Sequence, residues 1–192
     1  MNLELIPAVL LKGQHPEGQK GAVDACVMEA VAYVAGEPWS DRPACASPIC
    51  TSFAISLNDV IEDDERRTEL LKPLIPLLAG SRTNDADELK RSYLALDWLI
   101  RVYLPTWLSL VPALATNASA LLELPPITDA SGFGASVQEL LQGSRRRSAA
   151  AGDAAWDAAG AAAGAALRPT VVALQKSALK LLDRMIRVEE AA

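Results

Sequence analysis

The chain of 192 residues is 51% hydrophobic and carries a formal net charge of −6, with 24 acidic against 18 basic side chains. That length suits one domain with a sizeable core, and because much of the apolar fraction is alanine the core is expected to be close-packed rather than bulky. The acidic balance argues against a general nucleic-acid binder, whose phosphate contacts need a basic face. No run is apolar enough to span a bilayer; the nearest, Trp98 to Ala115, is interrupted by Arg101, Pro105 and Pro112.

The first residues, Met1-Asn2-Leu3-Glu4-Leu5-Ile6-Pro7, lack the basic region of a secretory signal, and Glu4 and Pro7 interrupt the apolar run. With Cys26, Cys45 and Cys50 making an odd count, the expectation is a reducing cytoplasm and free thiols. Residues 1–19 read as an N-terminal arm, an apolar entry followed by a polar loop containing glycine and proline. A first helix is predicted from about Lys20 to Ala35. Val23, Cys26, Val27, Ala30, Val31 and Val34 share one face, and Gly36 stops the helix.

Pro38 and Pro43 exclude helix from the segment Glu37 to Pro43. Ser47-Pro48 then reads as an N-cap with proline at the first helical position, opening a second helix with Ile49, Phe53, Leu57, Val60 and Ile61 as its apolar stripe. Asp63 or Asp64 caps a third helix, which Pro73 and Pro76 should kink or divide before Gly80. Asn84, with Asp87 three residues on, opens a fourth helix striped by Leu89, Tyr93, Leu96, Ile100 and Tyr103. Pro105 bends the chain into a short helix around Trp107 to Ala115.

Residues 125–134 form an internal loop rich in proline and glycine, and a short helix ends near Gly143. From Arg145 to Leu167 the chain is almost an alanine tract, with Gly152, Trp156, Gly160 and Gly164 at four-residue spacing. Its small residues point to close packing, and Asp153 and Asp157 argue against membrane insertion. The last helix is predicted after Pro169. Leu167, Val171, Leu174, Ala178, Leu181, Met185 and Val188 alternate by four and three, and Val172, Leu179, Leu182 and Ile186 widen the stripe to a bundle face. The predicted fold is all-α: residues 1–192 as a single-domain multi-helix bundle with proline-kinked helices and one alanine- and glycine-rich, close-packed helix.

Chemistry-bearing groups are few. Cys26, Cys45, Cys50 and His15 have the composition of a zinc site, but the spacing is loose, and small buried residues around helix starts are the favoured reading. Cys50, near a helix N-terminus, is the best candidate for a thiol of depressed pKa. Glu29, Glu37, Asp41, Asp59 and Asp97 lie on or beside the first, second and fourth helices, yet the Glu-x-x-His and paired-Glu patterns of carboxylate bundles are missing. Asp97 and Arg101 form an i,i+4 pair among apolar neighbours and read as a partly buried structural ion pair. Arg145-Arg146-Arg147 reads as a solvated helix start. Trp39, stiffened between prolines in Glu37-Pro-Trp-Ser-Asp41, either plugs the end of the bundle or anchors a partner.

Three stretches, Cys26-Val-Met-Glu-Ala-Val-Ala-Tyr-Val-Ala-Gly-Glu-Pro-Trp-Ser-Asp41, Leu94-Ala-Leu-Asp-Trp-Leu-Ile-Arg101 and Leu174-Gln-Lys-Ser-Ala-Leu-Lys-Leu-Leu-Asp-Arg-Met-Ile186, resemble uncharacterised small helical proteins of actinobacteria and their phages. The resemblance implies a bacterial cytoplasm or a phage-infected cell as the setting, and carries no activity. Two functions are in play. The leading one is a non-enzymatic modulator that binds another protein through Glu37, Trp39, Asp41 and Arg42, with no cofactor or metal, no membrane partner, and self-association left open. The alternative is a carboxylate-dependent enzyme, with or without metal, whose polar site at the end of the first two helices uses Glu29, Asp59, Asp97 and Arg101.

Overall fold

A computed structural model of the chain describes residues 6–16, 24–130, 142 and 160–188, with backbone alone for 160–166. All regular structure among these residues is helical, as the periodicity predicts: α1 (Val27–Ala35), α2 (Pro48–Val60), α3 (Asp64–Leu71), α4 (Ile75–Leu78), α5 (Asp85–Trp98), α6 (Leu104–Leu108), α7 (Ala115–Leu122) and α8 (Gly160–Ile186). No helix among the described residues is long and apolar enough to cross a membrane. The chain divides into two compact units, one made of Met1–Arg91 and Ala178–Ala192, the other of Ser92–Ser177.

In the first unit α1 is central. Val27, Met28, Glu29, Ala30, Val31, Ala32 and Val34 are buried, so the helix is enclosed nearly all round and packs against α2 and α4. It starts later than its apolar pattern predicts. Asp24 to Cys26 are not helical, and Cys26 is the N-cap: its thiol accepts the Glu29 N–H at 3.5 Å, and the Glu29 carboxylate accepts the Cys26 N–H at 2.8 Å. This reciprocal capping box stands where helix was expected at Asp24 to Cys26, and Lys20 to Val23 lie outside the described residues. At the other end Gly36 adopts φ 74°, the left-handed conformation that glycine takes without strain, and the N–H of Glu37 closes onto the Ala32 carbonyl at 3.0 Å.

Ser47 caps α2 as predicted, accepting the Cys50 N–H at 3.2 Å with Pro48 in the first turn. The buried face matches the predicted stripe only in part, at Leu57 and at Ile61 just beyond the helix. Cys50, Thr51, Ala54, Leu57 and Asn58 are buried, whereas Val60 is 60% exposed. The rotation comes from Asn58, whose side-chain oxygen accepts the Val27 N–H at 3.2 Å and turns a polar residue inward. Asp63 caps α3, accepting the Arg66 N–H at 2.7 Å, and Pro73 and Pro76 divide the next stretch into a 3₁₀ turn over Lys72–Leu74 and the single turn of α4. Asn84 opens α5 by accepting the Asp87 N–H at 3.0 Å. Leu89, predicted on the apolar stripe, is 55% exposed.

Two fully buried arginines close this unit. Arg67 donates to the main-chain carbonyls of Asn58 at 2.8 Å, Leu10 at 3.3 Å, Glu62 at 3.4 Å and Ile61, and pairs with Asp64. It thereby satisfies the open carbonyls at the C-terminal end of α2, where positive charge is favoured. Arg91 donates to Glu88 at 2.7 Å, Thr83 Oγ1 at 2.9 Å and the Met185 carbonyl at 2.9 Å, while Ser47 Oγ donates to the other Glu88 oxygen at 2.7 Å. Ala178, Leu181, Leu182, Met185 and Val188 are buried, as the stripe of the last helix predicts.

The second unit is built on Ile100, Leu108, Leu114, Ala118, Leu121 and Ile127, with Tyr93, Leu96, Leu104, Val111 and Leu124 packed against them. Pro105 lies in the first turn of α6. Ahead of it the helix widens into a π turn over Leu99–Tyr103, in which the Leu104 N–H reaches back to the Leu99 carbonyl. The wider turn lets the proline ring clear the carbonyl it would otherwise strike. The single short helix predicted around Trp107 to Ala115 is instead broken: α6 ends at Leu108, a 3₁₀ turn covers Pro112–Leu114, and α7 comes after it. The helix predicted after Pro169 begins earlier, at Gly160, and runs through the proline. Gly152, Trp156, Arg145 to Arg147 and the short helix near Gly143 lie outside the described residues.

Candidate functional site

The arm, the start of α1, the loop after α1 and the last turn of α2 meet in the first unit around Glu29. This carboxylate is fully buried. One oxygen takes the His15 N–H at 2.6 Å; the other takes the Cys26 N–H at 2.8 Å and faces His15 Nδ1 at 3.0 Å. His15, in the polar loop of the arm, is therefore seated. Its carbonyl in turn accepts the Trp39 indole N–H at 2.8 Å.

That bond fixes the loop from Glu37 to Arg42. The Trp39 ring meets Tyr33 edge-on, with centroids 6.1 Å apart. Glu37 accepts the Ala44 N–H at 2.6 Å, and Ser40 Oγ accepts the Arg42 N–H at 3.0 Å. Trp39 is half-buried, so it neither stands free in solvent nor fills the core, and Pro38 and Arg42 are exposed beside it.

A small open cleft of about 80 Å³ lies alongside, lined by Gly13, Gln14, Cys26, Asp41, Ile55, Asn58 and Asp59. Sites that enclose a small molecule are several-fold larger, ~300–1,000 Å³. Asp59 already accepts the Gly13 N–H at 3.0 Å and the Asn58 side-chain amide at 3.1 Å. Sequence reasoning does not single out Gly13, Gln14 or Asn58: the first two fall in the polar loop of the arm, and Asn58 lies off the apolar stripe of the second helix.

Of the residues proposed for a polar site, Glu29 and Asp59 belong to this region, but Glu29 is sealed beneath His15. Asp97 and Arg101 belong to the second unit. There they pair at 3.0 Å, and Asp97 Oδ1 also accepts the Ile127 N–H at 2.9 Å. The aspartate thus ties the helix to the connection beyond α7.

None of the three cysteines is joined in a disulfide. Burial is the main cause that pushes Cys26 up to about 12, and burial with the Glu37 carboxylate beside it pushes Cys45 up to about 11. Cys50 was the sequence candidate for a depressed pKa; its pKa is raised instead, because burial outweighs the Ser47 hydroxyl and the Arg91 charge that favour the thiolate. Among the described residues no three His, Cys, Asp or Glu side chains are grouped to hold a metal ion.

Comparison with known proteins adds no assignment: no family model matches the chain, and neither does any curated protein or solved structure.

Proposed function

We propose that the chain is a non-enzymatic interaction protein, encoded by a bacterium or its phage and acting in the cytoplasm, that binds another protein through the face formed by Glu37, Trp39, Asp41 and Arg42. One observation carries this reading. The loop is held by hydrogen bonds from Glu37, Trp39 and Ser40, yet presents Pro38 and Arg42 to solvent beside a half-buried indole. A rigid amphipathic ring with a polar rim loses little entropy on binding and is what an interface anchor requires. The test is capture from the native host with the wild-type chain and with Arg42→Glu, compared by mass spectrometry. A partner enriched by the wild type and lost with Arg42→Glu supports the assignment; identical lists from both overturn it.

The enzymatic alternative is favoured by the cleft with Asp41 and Asp59 at its edge. Against it stand the small volume of the cleft, the use of Asp59 and Glu29 in structural hydrogen bonds, and thiols that stay protonated near neutral pH.

A further inference from the structure

The arm Ile6–Pro16 has no regular structure, and it is held by hydrogen bonds at Leu10, Leu11, Gly13 and His15. The Leu11 N–H meets the Ala25 carbonyl at 2.9 Å, a main-chain contact. Its other attachments are side chains. Thr68 Oγ1 accepts the Leu10 N–H at 2.8 Å, Asp59 the Gly13 N–H at 3.0 Å, and Glu29 the His15 N–H at 2.6 Å. In the other direction Arg67 donates to the Leu10 carbonyl, Asn58 to the Leu11 carbonyl at 3.0 Å, and Trp39 to the His15 carbonyl at 2.8 Å. Leu10 is fully buried. The protein thus holds its own arm much as recognition domains hold an extended peptide, main-chain groups met one at a time and an apolar side chain inserted.

We infer that this arm is a strap that sets the Trp39 loop, with His15 as the positioning residue: docked on Glu29 it fixes the indole, and undocked it releases it. The inference rests on the binding assignment above and names how that face is regulated. Attachment at a few separate residues permits local opening at lower cost than breaking a helix. His15 joins the two ends of the device, its N–H and ring on Glu29 and its carbonyl on Trp39. If His15 lifts, the indole N–H loses its acceptor and the edge contact with Tyr33 is left to hold the ring. Linkage then works in both directions: a partner that grips the held loop must also protect the arm from opening.

The test uses the full-length chain labelled with ¹⁵N, in which four tryptophans give four indole N–H resonances, that of Trp39 assigned with Trp39→Phe. In His15→Ala the Trp39 resonance should shift and its hydrogen exchange should rise at least tenfold, while the other three stay in place. His15→Asn, whose amide nitrogen stands where Nδ1 does, should restore both. An unchanged Trp39 resonance in His15→Ala overturns the inference, as does a displacement of all four together. Should His15→Ala fail to fold, Asp59→Ala, which frees the Gly13 amide on the same strap, is read by the same outcomes. These readings need no partner, so their failure is distinguishable from failure of the binding assignment.

Discussion

The side-chain nitrogen Nε of Arg67 donates to the main-chain carbonyl of Asn58 at 2.8 Å, while the Asn58 side chain reaches the other way to accept the Val27 N–H. One arginine therefore closes the end of α2 at the residue that docks α2 onto α1. Arg67→Met keeps much of the stem but leaves several buried carbonyls without a donor. Because each unsatisfied buried polar group costs about 1–3 kcal/mol, we expect a loss of roughly 3 kcal/mol in the unfolding free energy measured by denaturant titration. A loss below about 1 kcal/mol would mean that water replaces the guanidinium and that the clamp is incidental.

The boundaries legible in sequence were those set locally. Ser47-Pro48, Asp63, Asn84 and Gly36 act through bonds to residues within a few positions, and each stands where its chemistry predicts. What failed depended on distant partners. Cys26 is a cap because His15 and its own N–H draw Glu29 into a buried site, and a thiol is too weak an acceptor to announce that role. Val60 and Leu89 share the period of the core but lie exposed, since Asn58 and Arg91 set the inward faces of their helices. The same limit applied to the candidate site: Trp39 was visible as an unusual residue in a stiff loop, whereas its bond to His15 spans 24 positions.

Asp97 accepts from both Arg101 and the Ile127 N–H. Its pairing with Arg101 is partly exposed on both sides and so contributes little by itself; the main-chain N–H left without an acceptor matters more. Asp97→Ala should lower stability by about 1–3 kcal/mol, with capture of a partner by the folded variant unchanged. Thermal melting and capture measured on one preparation decide the matter. Unaltered melting with lost capture would place Asp97 in a working site.

The raised thiol pKa values make a prediction about reactivity. A raised value keeps the proton on sulfur, and the thiolate is the nucleophile. With Cys45 at about 11, roughly one molecule in a thousand carries the thiolate at pH 8, against about a quarter for an ordinary thiol of pKa near 8.5. Iodoacetamide labelling of the folded chain at pH 8 should therefore be at least a hundredfold slower at Cys45 than for free cysteine. It should rise about tenfold per pH unit towards pH 11, and Cys26 and Cys50 should lag further because they are buried. Rapid labelling of any one of them at pH 8, while the fold is intact, would show an activated thiol and reopen the enzymatic reading.

Trp39 separates a plug from an anchor. A tryptophan that fills the end of a core costs about 3–5 kcal/mol when truncated to alanine. Here the ring is half-buried, with one hydrogen bond to His15 and one edge contact to Tyr33, so Trp39→Ala should cost about 2 kcal/mol. Trp39→Phe, which keeps an aromatic ring and loses the N–H donor, should cost about 1 kcal/mol. Arg42→Glu, at an exposed position, should stay within about 0.5 kcal/mol of the wild type. The binding face requires a different order in capture: Trp39→Ala and Arg42→Glu should both weaken it strongly, and Trp39→Phe only in part. If capture instead tracks stability, so that Arg42→Glu binds like the wild type and Trp39→Ala loses about 3–5 kcal/mol, then the indole is a plug and the partner surface lies elsewhere on the molecule.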